Sequence, residues 1–293
     1  MALPQIKVNP AVQKEWGWPI AAAVFLGGLG GALFLLSNFA FLTIGMVLGI
    51  VGMCSSVGFL LVDLGKRVRF WRVFYKPRTS WLSRGAISLT GAVVFGMLYT
   101  ALSCVSGLSF RSAPAVRSVI GYIADIFAFL VVLYTGFLLS ASRSIPTWNT
   151  WFLPAQFVIY AFLGGIDVLI ILRALGSISL DMEILAPVAI LLLSAAFVLL
   201  AIYAAAMSYV RIGAKEGASL LLKGSISHLF LWGVFVVGLT IPIFIDLIVI
   251  LRFPSFETVM ARTLIGLGAA LTLIGSFLYR YALLKTGVYN PPI

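Results

Sequence analysis

Few side chains in this 293-residue sequence can do chemistry, and those that can are set in apolar surroundings. Five acidic residues fall within or at the ends of long uncharged runs: Asp63, Asp125, Asp167, Glu183 and Asp246. A carboxylate at hydrocarbon depth is costly, which makes each a candidate for proton or ion handling. Asp125, Asp167 and Asp246 fall at like depth on three helices and could line a wet path. The alternative is local pairing, Asp167 with Arg173 and Asp246 with Arg252. Glu183 is expected in water. Asp63 ends an apolar run where a helix dipole disfavours a carboxylate, so it wants a cation such as Lys66 or Arg67. It is either a boundary ion pair or a functional carboxylate. The single histidine, His228, is either a satisfied interfacial residue or a proton carrier. One histidine cannot supply both ligands of a bis-histidine haem. Cys54 and Cys104 are too few and too far apart for an iron–sulfur cluster or a zinc tetrad. They read as small core residues.

Tyr134, in Leu133-Tyr134-Thr135-Gly136, adds a phenol within about two turns of a span end, where it can hydrogen-bond a ligand carbonyl or face the interface. With Trp18, Asp63 and Trp148 it would form an amphipathic pocket on one face. Apolar walls with one or two polar groups are what a quinone headgroup requires.

These residues must be positioned by helices in a bilayer. Hydrophobic residues make up 62% of the chain and charged residues 10%, and the mean hydropathy is +1.12, far from soluble usage. Runs of roughly 20 apolar residues read as spans. A tail at 1–15 precedes four of them, at about 16–37, 41–62, 81–106 and 118–141. A linker at 142–154 leads to four more, at about 155–173, 185–209, 226–250 and 259–283, and a tail at 284–293 follows. No signal peptide is expected, because the first apolar stretch is too long for an h-region and leads straight into a second span. Gly27, Gly28, Gly30 and Gly31 give the first helix a small-residue face, and Gly45, Gly49 and Gly52 do the same for the second. Ser80 and Thr79 cap the third. Pro242 predicts a kink in the seventh. Phe25-Leu26-Gly27-Gly28 recurs as Phe162-Leu163-Gly164-Gly165, each followed by a second span and a basic loop, so the chain reads as two four-helix bundles related as repeats. The fold class is all-α integral membrane protein with eight transmembrane helices.

The segment 63–84 holds Lys66, Arg67, Arg69, Arg72, Lys76, Arg78 and Arg84, and it is flanked by uncharged runs. It must lie at the water boundary with Phe70, Trp71, Phe74 and Tyr75 dipped into the interface. It is a surface to be met by lipid headgroups or by a protein; nucleic acid is not an expected partner. Eight spans put both termini on one side. Of the twenty Lys and Arg, Arg111, Arg117, Arg173, Arg252 and Arg262 fall on the far side, so the positive-inside rule places the termini in the cytoplasm.

The motifs resemble the NrfD/PsrC family of membrane subunits of polysulfide-reductase-type molybdopterin oxidoreductases. The resemblance rests on Trp16-Gly-Trp18-Pro19 with Phe25-Leu26-Gly27-Gly28, Asp63-Leu64-Gly65 with Arg69-Phe70, and Pro77-Arg-Thr-Ser80-Trp81 with Gly85. Tyr134-Thr135-Gly136 with Leu138-Leu139-Ser140 and Pro146-Thr-Trp148-Asn149 continue it, in family order over the first half of the chain. The resemblance implies an anchor in a prokaryotic inner membrane, free of haem and clusters, that binds menaquinone or ubiquinone in its first bundle. It further implies electron exchange with a ferredoxin-like iron–sulfur subunit docked on the basic segment, which connects to a catalytic, molybdopterin-containing subunit. On that reading Trp18, Asp63, Tyr134 and Trp148 bind quinone, while Asp125, Asp167, Asp246 and His228 serve proton movement. Intramembrane carboxylates and paired repeats also suit a secondary transporter, and a structural anchor without quinone chemistry is the third alternative.

Overall fold

The computed structural model describes residues 11–63, 67–104, 114–207 and 212–289. Among them, eight helices are long and apolar enough to cross a bilayer. The first four are α1 (Trp18–Phe39), α2 (Thr43–Asp63), α3 (Trp81–Cys104) and α4 (Pro114–Ser140). α5 (Phe152–Ala174) and α6 (Met182–Met207) follow. The seventh span is π-helical over Leu229–Thr240 and becomes α8 over Ile241–Arg252, so the disturbance expected at Pro242 is a change of helix type just before it. α9 (Val259–Lys285) is the eighth. The all-α membrane class is as expected, with span ends displaced by a few residues.

The basic stretch expected as a loop at Arg211 to Lys223 is instead a short helix, α7 (Ile212–Lys223). Ala218 and Leu221 share one face of it and are buried, which explains why it folds onto the protein. The cysteines also differ from expectation: Cys54 and Cys104 are exposed on the outer surfaces of α2 and α3. In a bilayer protein an apolar neighbourhood in sequence does not distinguish a lipid-facing position from a core one, because both are apolar.

The glycine faces do pack as their spacing predicts. A Cβ on Gly30 would stand 2.7 Å from Gly49 O and 2.8 Å from Met53 N, so α1 and α2 touch backbone to backbone. α1 is the most enclosed span, bounded by α2, α4, α5 and α9. α3 packs along α4, and in the second half α9 lies against α5, α8 and the π-helical stretch. The halves meet where α1 and α4 face α5, and the repeated Phe-Leu-Gly-Gly sits on that seam: a Cβ on Gly165 would approach Leu33 N to 3.1 Å.

The two ends of the described chain meet on one face, as eight spans require. β1 (Ala11–Val12) pairs antiparallel with β2 (Val288–Tyr289), and Gln13 locks the ribbon by donating to Leu284 O at 2.7 Å. Trp148 closes the same corner. It is buried, packs at a tilt against Trp16 with ring centroids 5.2 Å apart and donates its Nε1–H to Leu283 O at 3.0 Å.

Candidate functional site

Tyr134 lies within about two turns of the end of α4 and is 3% exposed. Its ring crosses α3 at Gly85, the position where a side chain would collide with it, and its hydroxyl pairs with Ser56 of α2. Ser56 in turn donates to Ala23 O at 2.7 Å, so the phenol is tied through α2 to α1. One edge of the ring faces an apolar cavity of about 150 Å³. Leu60 and Leu61 of α2 and Leu82 and Leu89 of α3 form its sides, and Phe70, Val73 and Phe74 form its roof.

The roof comes from Arg67–Tyr75, which is a 3-10 helix. With three residues per turn, Phe70 and Val73 fall in one column and, with Phe74, turn to the cavity, whereas Arg69 and Arg72 fall in another and are exposed. Lys76 and Arg78 are exposed as well. Arg84 is used inside the protein: it donates to Pro77 O at 2.9 Å and Arg78 O at 2.8 Å, and its guanidinium covers Trp81 at 4.4 Å. Ser80 caps α3 by accepting from Ser83 N at 3.4 Å. The result is an amphipathic lid fastened to α3, with Arg69 and Arg72 outward and Phe70, Val73 and Phe74 toward the cavity, while Trp71 and Tyr75 are exposed. Lys66 and the Arg67 side chain lie outside the described residues.

The four residues expected to form one pocket are not brought together. Tyr134 is level with Ser56, whereas Asp63 lies seven residues further along α2, about 10 Å by helical rise, is exposed and is not among the residues lining the cavity. Trp18 is 58% exposed and packs edge-on against Phe59 at 5.7 Å. Trp148 belongs to the terminal corner, held by the tails and α9. The expected equal depth of Asp63 and Tyr134 is therefore corrected: the phenol lines the cavity, and the carboxylate stands beyond it at the exposed end of α2.

The expected proton residues separate likewise. Asp125 accepts from Asn38 Nδ2 at 3.0 and 2.9 Å, at the far end of α1. Asp167 and Asp246 are buried side by side in the second half, lining one small cavity. Neither forms the local ion pair considered above. Arg173 instead reaches Glu257 at 2.7 Å, and Arg252 is exposed at the end of α8. Glu183 is exposed and accepts from Ser255 Oγ at 2.5 Å and Phe256 N at 2.9 Å. His228 is exposed just before the π-helical stretch, on the face of the termini.

One buried cation escaped the sequence reading. Arg280, 1% exposed, lies among Phe25, Phe157 and Tyr160 with ring centroids 5.5, 5.1 and 5.8 Å from its guanidinium, and it donates to Ser276 Oγ at 2.6 Å. Beside it Tyr279 bonds Gln156. Six residues from the end of its helix, Arg280 looks in sequence like a boundary cation; the aromatic faces that hold it come from α1 and α5.

Comparison with known families matches residues 8–292, nearly the whole chain, to the family described as polysulphide reductase, NrfD. Comparison with curated proteins returns no match.

Proposed function

The chain belongs to the polysulphide reductase NrfD family, which fits a membrane anchor of a reductase complex, and on that premise we propose that it is the quinone-reactive subunit of that complex. The observation that carries the reading is the cavity under the basic lid, walled by apolar side chains and ending on the Tyr134 phenol. A cavity of about 150 Å³ is of the size that accepts one six-membered ring. A quinone bound there supplies the redox chemistry, exchanging an electron pair together with protons. On quinone binding the tyrosine exchanges its hydrogen bond to Ser56 for one donated to a ring oxygen, and the surrounding Leu and Phe side chains keep the site dry. Asp63, exposed at the end of α2 about two turns beyond the phenol, passes protons between the site and water. The exposed Arg69, Arg72, Lys76 and Arg78 receive an acidic, ferredoxin-like iron–sulfur subunit, with only Phe70, Val73 and Phe74 between it and the cavity. That subunit delivers electrons to or from a molybdopterin-containing catalytic subunit. The face carrying the termini and the lid is assigned to the cytoplasm of a prokaryotic inner membrane, which is where the positive-inside rule puts it.

The test is made on the whole complex. Tyr134→Phe should weaken quinone binding by about 1 kcal/mol, the net value of an ordinary hydrogen bond. Asp63→Asn should cut quinone-linked turnover about 10²-fold by removing a general acid–base group. Activity of the catalytic partner with a soluble dye should be normal in both. If Asp63→Asn leaves quinone-linked turnover unchanged while Asp125→Asn or Asp167→Asn abolishes it, the site has been misplaced.

A further inference from the structure

Asp167 of α5 and Asp246 of α8 come from opposite ends of the second half's sequence and are 2% and 6% exposed. They line one small cavity of about 10 Å³, together with Thr272 of α9 and Pro242. That is room for a single water-sized body. The polar atoms around it are short of donors. Thr272 spends its hydroxyl proton on Gly268 O at 3.1 Å and so has none to offer the cavity, Pro242 has no N–H, and Asp167 Oδ2 has no hydrogen-bond partner. The remaining walls, Leu163, Ile170, Ala189 and Leu193 among them, are apolar. No Lys, Arg or His lines the cavity. Arg173 is committed to Glu257, and Arg280 lies two turns further along α9 in its aromatic box. The two carboxyl groups face the same cavity from different helices.

Two neighbouring anions in an apolar interior are prohibitively costly unless positive charge joins them, and a cage of oxygen acceptors without donors is built for a cation. We propose that Asp167 and Asp246 form an exchangeable site for one small monovalent cation, H⁺ or Na⁺, held between α5, α8 and α9. The site stands in the half of the molecule away from the Tyr134 cavity and needs no quinone.

The experiment uses the purified complex in lipid nanodiscs, with no quinone added. The unfolding midpoint of this subunit is followed against pH in choline chloride, then against NaCl at fixed pH with choline holding the ionic strength. A cation bound to the folded state raises the midpoint as its concentration rises. The expected result is a rise for the unaltered protein that is lost in Asp167→Asn and in Asp246→Asn, kept in Asp246→Glu and kept in Asp125→Asn. A rise with NaCl identifies Na⁺ as the cation, and a rise confined to falling pH identifies the proton. The double variant Asp167→Asn/Asp246→Asn, which leaves no carboxylate in the cavity, provides the reference curve for all the other titrating groups. Superimposable curves for the unaltered protein and the Asn variants in both titrations would overturn the proposal. Because quinone is absent, that outcome would leave the Tyr134 reading untouched, and loss of the Tyr134 reading would leave this one standing.

Discussion

Tyr134 is placed by what its neighbours lack. Gly85 offers a flat stretch of α3 for the ring, and the apolar walls leave Ser56 as the partner for its hydroxyl. Gly85→Ala should therefore act on the site without touching a polar group. The new methyl overlaps the ring and forces it to move, at a cost of about 1–3 kcal/mol for overpacking. The expected outcome is a lower unfolding midpoint together with a loss of quinone affinity at least as large as that of Tyr134→Phe. An unchanged affinity would mean that the ring position does not matter. At this scale the sequence was informative about which residues are unusual and silent about their partners. A phenol or a carboxylate in an apolar run stands out wherever it faces; that Tyr134 meets Ser56, 78 positions away, or that Asp125 meets Asn38, does not.

Helix ends and breaks obey local rules, so elements were more legible than contacts. α5 ends in a Schellman motif in which Ser177 N–H reaches Leu172 O at 2.9 Å and Gly176 N–H reaches Arg173 O at 3.0 Å, with Gly176 at φ +74°. Nothing lies within 4 Å of a Cβ built on Gly176, so Gly176→Ala tests the backbone conformation alone and should cost about 1–2 kcal/mol. Gly58 in α2 is equally unobstructed but helical, and Gly58→Ala should stabilise by about 0.5–1 kcal/mol. Unfolding midpoints of the two variants should move in opposite directions. The Arg67–Tyr75 lid was harder to read. Its charge and aromatics announced the water boundary, but a nine-residue 3-10 helix is longer than such helices usually run. Its threefold column spacing, which separates cavity-facing from outward-facing residues, emerges only once that helix type is known.

Across the whole molecule, charge is distributed by side. The lid's outward cations lie on the same face as the terminal ribbon and α7, so an acidic partner steered to that face would arrive over the cavity roof. Reversing Arg69, Arg72, Lys76 and Arg78 to Glu should abolish copurification of the proposed iron–sulfur partner while leaving the anchor inserted, because these four residues are exposed. Arg84→Glu should instead loosen the lid itself, since Arg84 binds Pro77 O and Arg78 O. A complex that survives the fourfold reversal intact would show that the partner docks elsewhere.

The number of spans, their small-residue faces and the shared side of the termini were determined by sequence alone. Hydrocarbon thickness sets span length, and charge is excluded from the runs between loops. The glycine spacing of α1 and α2 likewise dictated their close approach before any partner was known. Which polar residues meet was decided only by tertiary structure. Arg173 chooses Glu257 over Asp167, Trp148 leaves the expected pocket for Leu283 O, and Asp167 meets Asp246 across helices far apart in the chain. In a bilayer the inward and outward faces of a helix are both apolar, so periodicity cannot reveal which way a polar side chain turns. Only the packing of the eight helices against one another supplies that information.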